Sequence, residues 1–110
     1  MSQTVYSTRF VKTLLTGTNT TYYTVPSGKV AVVRTMTAAW VTLARIGGQV
    51  QVLLNGANSF VWIVPVTASS AASDHWEGNL VLPEGEILRA ASTATGTIFL
   101  TVSGFLLSVP

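Results

Sequence analysis

Residues 73–90, SDHWEGNLVLPEGEILRA, decide how this chain is read. Trp76, Leu80 and Leu82 share one parity along the segment, Pro83, Glu84 and Gly85 supply a tight turn, and residues 87–91 resume an extended pattern. The segment therefore predicts two strands joined by a turn. It also holds all four acids, Asp74, Glu77, Glu84 and Glu86, and the only histidine, His75. Catalysis by carboxylate or imidazole would have to draw most of its groups from here.

Working upstream, residues 60–64, FVWIV, are apolar at every position. Such a strand is buried on both sides or lies in an interface. Residues 49–55 alternate, with Val50, Val52 and Leu54 facing inward and Gln49 and Gln51 outward. Asn55-Gly56, with Ala57 and Asn58, then predicts a hairpin loop of about four residues. Residues 29–43 make the longest extended run, and it is apolar on both parities: Val30, Val32, Met36 and Trp40 on one, Ala31, Val33, Ala39 and Val41 on the other. A strand with one wet face alternates cleanly, so either a bulge shifts the register or the outer face meets another subunit. Residues 22–25 form a short strand stopped by Pro26, Ser27 and Gly28, and residues 4–15 a first strand closed by Gly17, Thr18 and Asn19.

Other breaks fall at residues 45–48, at the Thr/Ala/Ser loop 67–73 and at residues 93–96, after which Ile98, Leu100 and Val102 face one way along a last strand ending near Leu107. Seven or eight short strands without a helical stretch predict one all-β domain over residues 1–110: an antiparallel β-sandwich, jelly-roll-like, in which residues 1–20 serve as an N-terminal arm or the first strand. Val25-Pro26-Ser27-Gly28-Lys29 and Leu82-Pro83-Glu84-Gly85-Glu86 share one pattern. They read as two turns of one type rather than an internal repeat, because turn chemistry alone selects Pro and Gly.

The composition is 48% hydrophobic and only 9% charged, with a mean hydropathy of +0.49, whereas soluble domains carry about 25% charged residues. Serine and threonine, about a quarter of the chain, supply part of the polar surface. The remaining apolar surface is expected to pack against other subunits, since monomers rarely leave large apolar patches open. No apolar run reaches the roughly 18–20 residues of a spanning helix, and no signal-peptide pattern begins the chain, so neither membrane insertion nor export is expected. Without cysteine, thiolate catalysis, disulfides and cysteine-bound metal are ruled out.

His75 and Glu77 share a strand face, but one histidine is too few for the usual zinc set and for the cupin metal site, so a solvated pair is expected and no metal or other cofactor. Ser73, Asp74 and His75 are neighbours on one strand and cannot converge as a triad, and Gly47-Gly48 lacks the lysine-serine pair of a phosphate loop. No catalytic residue is assigned. The bases Arg9, Lys12, Lys29, Arg34, Arg45 and Arg89 are scattered, which argues against direct nucleic-acid binding. Tyr22, Tyr23 and Trp40 could form a sugar-stacking platform, although tryptophans serve more often as core or interface anchors.

The stretches TYYTVPSGKVAVVRTM, VQVLLNGANSFVWIVP, SDHWEGNLVLPEGEILRA and TIFLTVSGFLL together resemble small β-sandwich virion proteins of tailed bacteriophages. The likeness covers about residues 21–107. It lies in Tyr23-Thr24-Val25-Pro26-Ser27-Gly28-Lys29 leading into a central strand, in the Leu82-Pro83-Glu84-Gly85 turn before the penultimate strand, and in Val102-Ser103-Gly104 of the closing strand. It implies a non-enzymatic structural protein of the capsid decoration, head-fibre, collar or minor tail kind, located in the virion, assembled in the host cytoplasm and partnered by major capsid or tail proteins. The other reading is a carbohydrate-binding module for receptor recognition.

Acids lie only between residues 74 and 86, while five of the six bases precede residue 46. Distinct patches of opposite charge favour head-to-tail contacts and so a cyclic homo-oligomer, a trimer being the simplest. Arg34 or Arg45 is expected to meet Glu77 or Glu84 of a neighbour, with Phe60 and Trp62 supplying apolar contact.

Overall fold

Turn residues cut the described residues into eight strands: β1 (Tyr6–Leu14), β2 (Thr20–Thr24), β3 (Lys29–Trp40), β4 (Gln49–Leu54), β5 (Phe60–Pro65), β6 (Ala72–Leu82), β7 (Ile87–Ser92) and β8 (Ile98–Ser108). The computed structural model describes residues 6–18, 20–41, 47–55, 60–67, 71–94 and 96–108. No helix occurs among them. Two antiparallel four-stranded sheets result: sheet A in the order β1-β8-β3-β6 and sheet B in the order β2-β7-β4-β5. Except for the β4–β5 hairpin, each strand passes to the opposite sheet from the one before it. This is the order of an eight-stranded jelly roll, the fold expected from the sequence.

The two sheets enclose a core of two clusters. One gathers Phe10, Val33, Met36, Val52, Leu88 and Val102 with their neighbours; the other gathers Ala38, Trp40, Val50, Val64, Val66 and Ile98. Met36, Val33, Val52 and Val102 are wholly buried, and each such side chain contributes about 1.5–3 kcal/mol by leaving water.

The double apolar parity of β3 has its explanation in a bulge. Val33 pairs with Gly104 and Thr35 with Ser103, leaving Arg34 as an extra residue. Ala31 and Val33 are buried before it, and Met36, Ala38 and Trp40 after it, so the inward parity changes from odd to even. The irregularity crosses the whole sheet. In β1, Phe10 is extra between Arg9 and Val11, so Phe10 and Val11 are both buried. In β6, Gly78 and Asn79 together lie opposite Arg34.

This line of bulges brings β3 down onto β8. A side-chain carbon added to Gly104 would overlap the Val32 carbonyl oxygen, and would stand 2.9 Å from the Val32 carbonyl carbon and 3.0 Å from the Arg34 nitrogen. These are backbone atoms, which cannot step aside as a side-chain tip can.

The two Pro-x-Gly segments are turns of one type. Lys29 N donates to Pro26 O at 3.2 Å and Glu86 N to Pro83 O at 3.1 Å, with Gly28 and Gly85 at φ of 75° and 81°, the geometry of type II turns. They also bond to each other, Gly85 N to Val25 O at 2.9 Å and Val25 N to Glu86 O at 3.0 Å.

Replacing Gly104 should therefore be far worse than replacing the other sheet-A glycine. Gly104→Ala is expected to lose about 3 kcal/mol or more through overpacking against backbone. Gly78→Ala meets only the Trp76 ring, at 3.0 Å, and should lose about 1 kcal/mol. Urea denaturation of both variants checks the order.

Candidate functional site

The outer face of sheet A carries a band of polar side chains. Continuing the strand registers across the sheet gives two adjacent rows, Lys12–Thr101–Thr37–His75 and Arg9–Ser103–Thr35–Glu77, each touching all four strands. The rows begin with bases on the β1 edge and end with an imidazole and a carboxylate on the β6 edge. Four hydroxyls lie between.

At the β6 end the side chains are linked. Thr37 Oγ1 lies 3.1 Å from His75 Nδ1, and His75 Nε2 lies 2.9 Å from Glu77 Oε1. Asp74 Oδ1 accepts from the His75 backbone N–H at 2.8 Å, and Arg34 donates to Asn79 Oδ1. The order hydroxyl, imidazole, carboxylate resembles that of a nucleophile with its base. The His75 side chain is 49% and the Glu77 side chain 74% exposed, so water screens the pair, and activation of a nucleophile depends on a dry, preorganised surround. The pair is the solvated one that strand alternation predicts. Thr37 was not foreseen as its partner.

On either side of this band the outer face turns apolar. One flank joins Leu14 to Phe99, 52% and 45% exposed. The other sets Phe105, Val32 and Val81 in one row, with Val81 61% exposed. On the outer face of sheet B, the edge strand β5 presents Phe60 and Ile63.

The residues expected at subunit contacts are distributed unevenly over these surfaces. Phe60 is exposed, whereas Trp62 is half-buried and packs against both core clusters. The strand 60–64 is thus neither buried on both sides nor uniformly outward; it is an edge strand with one face in the core. Arg34 and Glu77 occupy adjacent positions of one face rather than opposed patches. Glu84 binds within its own chain, its Oε2 accepting from Gly28 N at 2.7 Å and from the Ser27 hydroxyl at 3.5 Å. Arg45 lies outside the described residues, as do Gly56, Ala57 and Asn58 of the expected hairpin loop; Asn55 has the positive φ, 53°, that such a turn wants.

The sugar-stacking trio does not assemble. Trp40 is buried, because the bulge turns it inward, and it belongs to the second cluster. Tyr22 and Tyr23 pack against the first, where a register shift lets both neighbours face the core. The Tyr22 hydroxyl is itself buried, and the Tyr23 ring lies 4.9 Å from that of Phe10. These rings contribute packing rather than an open platform.

Among the described residues, no three of His, Cys, Asp and Glu gather into a metal-holding group, and no helix is long and apolar enough to cross a membrane. No protein-family model matches the chain, and no curated protein does. Among solved structures, a chain from Bacillus endospore appendages, described as a novel family of disulfide-linked pili, aligns with a TM-score of 0.47 and 11% sequence identity. The alignment covers 100% of this chain and 93% of that one. At that similarity it says nothing about function.

Burial pushes the Tyr23 phenol above its ordinary value of 10.0. Its neutral form is thus favoured in the fold, so its contribution to stability is complete below about pH 10 and is lost as pH rises through the raised value. Tyr23→Phe should flatten the fall in stability between about pH 9 and about pH 11 relative to the unmodified chain, as read by urea melts across that range.

Proposed function

We propose that the chain is a non-enzymatic structural subunit that acts by associating with copies of itself, and that its place is in the virion of a tailed bacteriophage. The carrying observation is the exposed apolar surface on both sheets: Val81 beside Phe105 and Val32, Leu14 beside Phe99, and Phe60 with Ile63. Large apolar side chains grouped on the outer faces of a sandwich favour burial against another surface. With 9% of residues charged, little repulsion opposes that association.

The virion assignment rests on the sequence likeness, whose Pro-x-Gly segments are built as paired turns. The eight-stranded jelly roll serves viral shell proteins and lectins alike, so the surface rather than the fold decides between them. Trp40 buried and Tyr22 and Tyr23 packed inward favour the structural reading over sugar binding. The partners on this reading are further copies of the chain, in a cyclic oligomer, together with major capsid or tail proteins, and assembly takes place in the host cytoplasm.

Light scattering at micromolar concentration should find the purified chain in multimers, and Val81→Asp should shift it toward monomer by about tenfold or more in dissociation constant while leaving thermal melting nearly unchanged, as expected for an exposed position. A wild-type monomer at that concentration would count against the proposal. Virions purified from the host that carries the gene should contain the chain in fixed stoichiometry; its absence from such particles would remove the virion assignment.

A further inference from the structure

We infer that copies of this chain join edge to edge through sheet A, with β6 of one copy beside β1 of the next, so that the sheet continues across the contact. The inference rests on the reading of the chain as a self-associating subunit and names the surface it uses.

Four strands stand at sheet edges: β1 and β6 in sheet A, β2 and β5 in sheet B. An edge strand presents backbone N–H and C=O groups that a second strand can take up; on β6 the His75 N–H is held by Asp74 Oδ1 at 2.8 Å and would exchange that partner on pairing. β2 (TTYYT) and β5 (FVWIVP) carry no charge. β1 carries Arg9 and Lys12, and β6 carries Asp74, His75 and Glu77, all exposed. Acids and bases are thus divided between the two edges of one sheet.

That division selects among pairings. β1 against β1 brings bases together, and β6 against β6 brings acids together; like charges directly opposite are destabilising. β1 against β6 matches them. The directions also agree, because successive strands of sheet A are antiparallel, so β6 of one copy and β1 of a translated copy run in opposite senses. Extending the rows then places Lys12 of the second copy by His75, and Arg9 by Glu77. The bulge at Phe10, which already lets β1 pair with the regular strand β8, gives β1 the same spacing toward residues 72–77 of β6. Such a contact is head-to-tail, and it closes into a ring or continues as a filament.

Charge reversal and cross-linking test it together. Arg9→Glu/Lys12→Glu has two acidic edges, and Asp74→Lys/Glu77→Lys has two basic ones. Each alone should associate at least about tenfold more weakly than the unmodified chain, and an equal mixture should recover assembly through alternating contacts. The chain has no cysteine, so Lys12→Cys/His75→Cys adds the only thiols. Within one copy they stand three strand spacings apart, roughly 14 Å, too far to bridge. A ladder of disulfide-linked chains on oxidation supports the contact, with circular dichroism checking that each variant keeps its sheet. Assembly of the unmodified chain that survives both reversals and yields no ladder overturns the edge pairing alone. An unmodified chain that stays monomeric overturns both this contact and the reading beneath it.

Discussion

The close approach of β3 to β8 at Gly104 is the constraint on which the rest depends. The Val32 carbonyl lies where any side chain at residue 104 would have to sit, so the two central strands of sheet A can meet only because that position has none. The approach accompanies the extra residue Arg34, and with it the change of inward parity along β3. Before it, Ala31 and Val33 fill the first cluster; after it, Ala38 and Trp40 fill the second. A straight strand would turn one of those sets to water.

How much of this was legible follows from the same feature. The strands were readable because Pro26, Gly28, Asn55, Pro83 and Gly85 punctuate an alternating pattern, and such residues act locally. The sandwich followed from their number and spacing. The doubly apolar β3 was visible as an anomaly, but its two explanations, bulge or interface, cannot be separated on one strand because a bulge is a relation between strands. Trp40, open to a sugar-stacking or a core-anchor reading for that reason, is a core anchor. The Thr37–His75 contact joins residues 38 apart in the chain and depends wholly on register, so only the alternation of Thr35 and Thr37 hinted that they share a face. His75 with Glu77 was readable, being set by strand period alone. That Arg34 has a cross-strand neighbour in its own chain, Asn79, could not be read from charge counts.

The outer surfaces divide the work of staying in solution and of associating. Hydroxyls across the middle of sheet A give a wet face without charge, which is how a chain with 9% charged residues keeps polar surface. Most of the described charges are placed at edges and turns, such as Arg9 and Lys12 on β1, Asp74 and Glu77 on β6 and Glu84 in the paired turns, while Arg34 and Arg89 lie on the inner strands β3 and β7. Edge charges discourage indiscriminate strand pairing. Apolar side chains then occupy the ends of the faces, where Phe99, Val81 and Phe60 lie.

The place of β8 bears on how the molecule comes into being. β8 lies between β1 and β3, so sheet A has no continuous hydrogen-bonded order until β8 is available. On a ribosome, β1 must therefore wait, unpaired in its sheet, until residues 98–108 of β8 emerge. Most pairings also span long stretches of sequence, an arrangement that folds on the millisecond-to-second scale rather than in microseconds. Arrival of β8 thus joins β1 to the rest of sheet A.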